Sequence, residues 1–397
     1  MRIAYLAIND PLDKRSWSGT TYYIAKTLQR NGNDVDFFGP LVLPKWLDKT
    51  LRALAKLNRI LFRKEYITKY SLLLSWYSAK QFNKKLKAKS YDCICAPAAA
   101  PELGFLKTKL PVIYITDATF QLMRNYAYNE FIKVSWLTKF EGNLLEKHAL
   151  RKSAAVMYPS MWAAESAVND YHVSNEKIFV APFGANIDRV PDESIIFNKL
   201  NNHQLTVLFL AVDWERKGGN IAFDVLKFLH FTHGMQAKLI VCGCVPPAHI
   251  SHPNMEVIPF LDKNKKEDYE RFVNIMSTSH FLLVPTRADC SLLVGSEANA
   301  YGMPAITTET GGVPEIIKDG VNGYCLPYTA DANIYAALIA ELFLNQGKFK
   351  ELITTSRQRF DEYLTWQKWF ENFSEVYKKT VLKQQPQTAE LEMSSLN

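Results

Sequence analysis

The feature that most constrains this chain is an alternation, run through twice, of short β-branched strings with amphipathic segments long enough to recross a sheet. Ile3 to Ile8 reads as a strand, Thr20 to Gln29 as a helix closed by the Asn31-Gly32 turn, and Asp34 to Phe38 as a second strand. Beyond a basic helical region, strands are expected at Cys93 to Ala96 and Val112 to Thr116, a helix near Leu137 to Arg151, and strands at Ala155 to Tyr158 and Ile178 to Ala181. A polar linker runs to about Gln204, and the pattern restarts with strands at Leu205 to Val212, Lys238 to Cys242, Phe281 to Val284 and Ala305 to Thr307. Helices to about His230, at Glu267 to Met276, Glu297 to Tyr301 and Ile334 to Asn345 separate or follow them. Strand and helix in alternation build parallel sheets covered by helices. The expected fold class is therefore α/β with two tandem Rossmann-like domains, residues 1–188 and 189–365. A Trp- and Phe-rich helical stretch, Asp361 to Lys379, is expected to supply a C-terminal helix over 366–383 that packs back on the first domain, followed by a flexible tail over 384–397.

Composition narrows the class. At 397 residues, 48% hydrophobic and 22% charged, the chain can bury large cores and is unlike a disordered polymer. The richest apolar runs, Leu205 to Val212 and Leu72 to Ala79, fall short of a membrane span. Met1 to Ile8 is interrupted by Asn9 and Asp10 and has no basic n-region, so a cytoplasmic chain is expected. Four of the six cysteines form C-x-C pairs, Cys93/Cys95 and Cys242/Cys244, inside apolar strand-like runs, which favours buried strand positions over a zinc site.

Charge is unevenly spread. Between Lys45 and Lys89 the only acids are Asp48 and Glu65, although the whole chain carries just +7. Trp46, Leu47, Leu51, Leu54, Leu57, Ile60, Leu61 and Phe62 interleave with these cations at helical spacing, giving amphipathic helices with cations outermost. Such a face suits an anionic membrane surface or an acidic acceptor, and equally a solubilising exterior; no nucleic-acid reading motif accompanies it.

In open parallel sheets, ligands bind beyond the carboxyl ends of the strands. The first such turn holds Ser16-Trp17-Ser18-Gly19-Thr20, where Gly19 lets a ligand approach the backbone at a helix start; an ordinary Ser/Thr cap fits the same residues. The corresponding turn of the second half is Asp213-Trp214-Glu215-Arg216-Lys217-Gly218-Gly219. Two cations at a helix start oppose the macrodipole and call for an anion, a phosphate or a local Asp213 or Glu215. Further on, Asp289 and Glu297 place two carboxylates eight residues apart, one in a loop and one near a helix start, suited to separate hydroxyl groups of one extended ligand. Asp34-Val35-Asp36 imitates a metal-binding D-x-D, but its alternation within a strand makes a metal there unexpected.

The Asp289 to Glu297 stretch resembles the E-x7-E region of GT4-type retaining glycosyltransferases of the GT-B fold (glycosyl transferases group 1). Thr310-Gly311-Gly312-Val313-Pro314-Glu315-Ile316 and Asp319-Gly320-Val321-Asn322-Gly323 resemble that family's continuation, Val180 to Asp188 its segment before the linker, and Arg216-Lys217-Gly218 its diphosphate turn. The resemblance implies two Rossmann-like domains facing across a cleft, and a nucleotide-diphosphate sugar as co-substrate with no metal or other cofactor. It implies that Glu297 binds the ribose hydroxyls, that Arg216 and Lys217 hold the diphosphate, and that Asp289 meets the sugar together with the amides of Ser291, Leu292 and Leu293. Gly19 would approach the phosphates from the other domain. Asp117, in Ile115-Thr116-Asp117-Ala118, stands where the family often has a histidine beside the donor sugar; it could orient the acceptor hydroxyl or simply cap a helix. Four positions depart from the family: Asp289 replaces Glu, Cys290 and Leu292 replace glycines, and Val212 replaces an arginine, for which Arg216 can substitute.

The expected function is retaining, metal-independent hexosyl transfer from a nucleotide-sugar to a hydroxyl of a glycan or lipid-linked acceptor, in cell-envelope or surface glycan synthesis, at the inner face of the membrane. The alternatives are a nucleotide-sugar epimerase or dehydrogenase, which the missing G-x-G-x-x-G disfavours, and a non-catalytic membrane-associated protein with a decayed donor pocket.

Overall fold

The computed structural model describes residues 1–126, 131 and 133–382; the expected tail over 384–397 lies outside the described residues. The chain divides into two compact units, Met1–Ala181 together with the chain from Trp369 on, and Pro182–Lys368.

The first unit is a six-stranded sheet of β1 (Arg2–Tyr5), β2 (Asp34–Phe37), β3 (Cys93–Pro97), β4 (Val112–Ile115), β5 (Ala155–Tyr158) and β6 (Ile178–Val180), in the order β2-β1-β3-β4-β5-β6. Every pairing is parallel. β3, β4 and β5 are buried along their whole length because helices cover both faces, which is why they read as unbroken apolar runs. Cys93 and Cys95 are core residues of β3, and burial pushes the Cys93 thiol up to about 12.

The second unit repeats the plan with β7 (Thr206–Leu210), β8 (Lys238–Cys242), β9 (Met255–Ile258), β10 (Phe281–Val284), β11 (Ala305–Thr308) and β12 (Gly323–Leu326), ordered β12-β11-β10-β7-β8-β9 and parallel throughout. Two apolar layers sandwich it, one built on Val207, Phe209, Leu226 and Ile339, the other on Leu208, Ile275, Leu282 and Tyr301. In each sheet the strand order reverses once, between β1 and β3 and between β7 and β10. Those reversals are the switch points where a doubly wound sheet opens a crevice.

Several boundaries differ from the sequence reading. The first unit ends at Ala181 rather than 188, because Ala185 donates its amide to Leu364 (2.9 Å) and Asn186 accepts from the Trp366 indole (3.2 Å), tying this stretch to the second unit. The C-terminal helical stretch is two helices, Gln346–Tyr363 and Trp366–Thr380. Leu364 closes the first by donating to the Phe360 carbonyl, and the Thr365 hydroxyl caps the second by accepting from Lys368 at 3.1 Å. From Trp369 on, the second helix belongs with the first unit, and Trp369 and Phe373 are fully buried.

The basic region folds as helices Lys45–Phe62 and Leu72–Leu86. The expected amphipathic packing holds for the second, which buries Leu74, Ala79 and Phe82, and only in part for the first: Leu47 and Leu51 bury against Leu74, whereas Trp46, Leu57, Ile60, Leu61 and Phe62 are exposed. The Asp34-Val35-Asp36 acids have partners, Asp34 the Arg2 guanidinium at 2.9 Å and Asp36 the Lys89 ammonium at 2.7 Å and the Tyr91 hydroxyl at 2.8 Å.

Candidate functional site

The loops at the switch point of the second sheet gather the candidate donor-site residues. The turn after β7 folds back on itself: the Asp213 side chain accepts from the Arg216 amide (3.0 Å), and its carbonyl accepts from the Lys217 amide (3.1 Å). Gly218 follows at φ +78°, the left-handed region, and a Cβ there would lie 2.0 Å from the Pro285 carbonyl oxygen. Only glycine permits that approach, which presses the turn after β7 against the loop after β10. Gly219 opens the helix Gly219–Phe231 against the buried Trp214 ring.

Arg216 joins the two loops. Its guanidinium donates to the Ala288 carbonyl (3.0 Å) and lies 3.5 Å from the Asp213 carboxylate, while its carbonyl accepts from the Arg287 amide (2.7 Å). The local pairing with Asp213 is therefore present for Arg216. Lys217 turns the other way, its ammonium forming a close ion pair with Asp289, both side chains largely buried. Asp289, on the loop after β10, also accepts from the Gly312 amide through its carbonyl (3.2 Å).

Glu297 lies on the helix Leu293–Ala300 and is 3% exposed. Lys263 donates to its carboxylate at 2.7 Å and to the Asn186 carbonyl at 3.3 Å, and sits 4.1 Å above the Phe272 ring. Burial raises the Glu297 carboxyl above its ordinary value, and the Lys263 charge opposes the rise. Of the amides read as ligand donors, that of Leu293 is taken by the Ser291 carbonyl (2.8 Å). The Ser291 hydroxyl is buried with no hydrogen-bond partner among the described residues, and Leu292 and Cys290 pack into the core. Lys263 escaped sequence reading; its one signal was a position just past the carboxyl end of a strand, β9, itself unrecognised.

In the first unit, the turn after β1 takes an unusual path. Trp17 (φ +48°), Ser18 (+55°) and Gly19 (+91°) are successive left-handed residues, and Gly19 caps the helix Thr20–Arg30 with no side-chain acceptor. The ordinary Ser/Thr cap is thus not what forms. The Thr20 hydroxyl is buried with no hydrogen-bond partner among the described residues. The Trp17 indole donates to Asp117 at 3.2 Å, across 100 residues of sequence. Asp117 is not the cap of the helix that follows it; Thr119 takes that part, accepting from the Leu122 amide at 3.1 Å. The structure therefore brings together Gly19, Trp17 and Asp117 in one unit, and Arg216, Lys217, Asp289, Ser291 and, on the adjoining helix, Glu297 in the other.

Comparison with known proteins follows the same division. Residues 19–189 match the family model described as Glycosyltransferase Family 4, and residues 192–362 match Glycosyl transferases group 1. The spore coat protein SA of Bacillus subtilis (strain 168) is 37% identical over 83 residues, 21% of this chain and 22% of that protein. The chain spans between about a fifth and just over half of the length of the curated relatives it matches. Among solved structures, sucrose-phosphate synthase from Thermosynechococcus elongatus superposes with a TM-score of 0.66 at 16% identity, covering 95% of this chain and 98% of that one. Anabaena HepE in complex with UDP and glucose superposes at 0.63 and 15% identity, covering 95% and 99%. With both halves matched in order, two parallel six-stranded sheets, and superposition over nearly the whole chain on solved glycosyltransferase structures, the chain belongs to the GT4 family of glycosyltransferases and has the GT-B fold.

Proposed function

We propose that this glycosyltransferase moves a hexose from a nucleotide-diphosphate sugar to a hydroxyl of a glycan or lipid-linked acceptor, with retention at the anomeric carbon and without a metal, in cell-envelope or surface glycan assembly at the cytoplasmic face of the membrane. The observation that carries this reading is the buried Lys217–Asp289 pair, two opposite charges brought from positions 72 residues apart to the switch point of the second sheet. A diphosphate takes Lys217 and leaves Asp289 to accept sugar hydroxyls, so each member of the pair gains a ligand group when the pair opens.

Breaking the sugar–phosphate bond moves negative charge onto the leaving diphosphate, and Lys217 stabilises it there. Arg216 adds positive potential while its guanidinium holds the Ala288 carbonyl and so fixes the loop that carries Asp289. Glu297, steadied by Lys263, accepts from the ribose hydroxyls. Asp117, oriented by the Trp17 indole, positions the acceptor hydroxyl, whose proton passes to the departing phosphate oxygen as it attacks from the same face. Gly19 and the helix start behind it, which has no side-chain cap, suit an anionic group of the donor. The likeness to a protein solved with UDP and glucose supports a sugar nucleotide as donor. No helix among the described residues is long and apolar enough to cross a membrane, and the cationic stretch over residues 45–89 suits contact with an anionic membrane surface.

The test is a thermal-shift series with UDP-, GDP- and ADP-sugars. One of them should raise the unfolding temperature of the wild type and leave the Lys217→Ala/Asp289→Asn protein unmoved. A shift of equal size in both proteins would remove the pair from the donor site.

A further inference from the structure

The exposed apolar residues of the helix Lys45–Phe62 have a second set of neighbours that the sequence keeps some seventy residues away. Just past the helix, Glu65 pairs with Val134 in a parallel bridge: its amide donates to the Lys133 carbonyl (2.9 Å) and its carbonyl accepts from the Ser135 amide (2.7 Å). The chain then runs along the helix Trp136–Lys152, the Ile67 amide donating to the Thr138 hydroxyl (3.0 Å) and the Tyr66 hydroxyl to Glu141 (2.6 Å). This strap sets the end of one exposed apolar segment beside the start of another. Ile60 (63% exposed), Leu61 (61%) and Phe62 stand on one side, Trp136 (63%) and Phe140 (57%) on the other. Arg59, Arg63, Lys64 and Lys133, all exposed, are interspersed.

We propose that these two segments form one seat for an anionic lipid bilayer, with the aromatic and aliphatic side chains entering the headgroup and acyl boundary and the cations meeting lipid phosphates. Resting on the transferase reading above, it makes the acceptor a lipid-linked molecule drawn from that surface. Three observations select a membrane. Apolar side chains of this size left in water at adjoining sites mark an interaction surface. Their cationic surround complements anionic lipid. The same cations oppose self-association, because a two-fold contact would set the patch against its own copy, positive against positive. Placement supports delivery of the acceptor. The helix Trp136–Lys152, which carries Trp136 and Phe140 in its first turns, follows β4 and precedes β5, so it begins at the carboxyl-end edge of the sheet and returns antiparallel to the strands. That is the edge carrying Trp17 and Asp117.

The experiment is co-sedimentation of the full chain with vesicles of phosphatidylcholine alone or of equal parts phosphatidylcholine and phosphatidylglycerol. The chain should pellet with the second only and be released at high salt. Trp136→Ser, outside the basic segment, should weaken binding about tenfold, Trp136→Phe should restore most of it, and Arg63→Glu with Lys64→Glu should abolish it. Equal binding by wild type and Trp136→Ser, binding to the neutral vesicles as well, or a self-association that these substitutions remove would each overturn the proposal. Sugar-nucleotide thermal shifts recorded without vesicles should be the same in all four proteins. Their loss from the wild type would fell the transferase reading while leaving the vesicle result to stand or fall on its own.

Discussion

Replacing Lys263 with Ala isolates the part of the candidate donor site that sequence reading missed. Glu297 is 3% exposed and Lys263 donates to it at 2.7 Å, so the substitution leaves a carboxylate buried with its charged partner gone. Removing one member of a buried ion pair costs about 3–5 kcal/mol. The Lys263 side chain is 22% exposed, so water screens part of the interaction and the lower end, about 3 kcal/mol, applies. For a unit of this size that is a fall in Tm of about 6–12 °C. The loss carries a pH signature. Burial already raises the Glu297 carboxyl above the ordinary 4.5 and Lys263 holds it down; without Lys263 it rises further. A carboxyl whose folded value exceeds its unfolded one subtracts nothing at low pH, and stability falls as pH climbs from the unfolded value through the folded one. Equilibrium urea denaturation at about pH 5 and about pH 8 should therefore show Lys263→Ala losing more at the higher pH. Adding Glu297→Gln, which removes the stranded charge, should recover most of the loss and flatten its pH dependence. A deficit equal at both pH values, or one that Glu297→Gln leaves in place, would refute the reasoning.

Three further outcomes are expected. Lys217→Ala likewise takes the charged partner from a buried carboxylate, Asp289, and should lower stability by about 3–5 kcal/mol while eliminating sugar transfer; Asp289→Asn in that background should recover most of the melting temperature and leave transfer dead. Gly218→Ala must place a methyl 2.0 Å from the Pro285 carbonyl at φ +78°, so thermal unfolding should register a loss of at least about 2 kcal/mol. In the first unit, burial pushes the Glu146 carboxyl up to about 8 despite the Tyr114 hydroxyl beside it. Wild-type stability should decline as pH rises from about 4.5 to about 8, and Glu146→Gln should remove much of that decline in denaturant titrations across the window.

Sequence patterning carried the architecture because parallel strands buried on both faces leave long apolar signatures, as Val112–Ile115 and Phe281–Val284 do. It missed β9 and β12, edge strands only partly buried whose residues alternate weakly. It missed the helix Met161–Tyr171, whose buried side is made of Ala163, Ala164 and Ala167 and leaves no strong stripe. The turn at Arg216 and Lys217 was legible from composition, since cations and glycines at a helix start are costly without a purpose. Which cation faces which acid was not legible. Lys217 finds Asp289 and Lys263 finds Glu297 only through the register of β7, β9 and β10, and Trp17 meets Asp117 only because β1 and β4 end on the same edge. Contacts set by topology leave no local trace in residue order.

The Lys217–Asp289 pair has a consequence for discrimination under the donor-site reading. Inorganic phosphate offers the lysine an anion but leaves the aspartate without its cation, and a free sugar offers the aspartate hydroxyls while leaving the lysine without its anion. A molecule that joins both groups satisfies both halves at once. The neutralised pair thereby works as a coincidence gate, indifferent to abundant cellular anions and sugars that present one feature without the other.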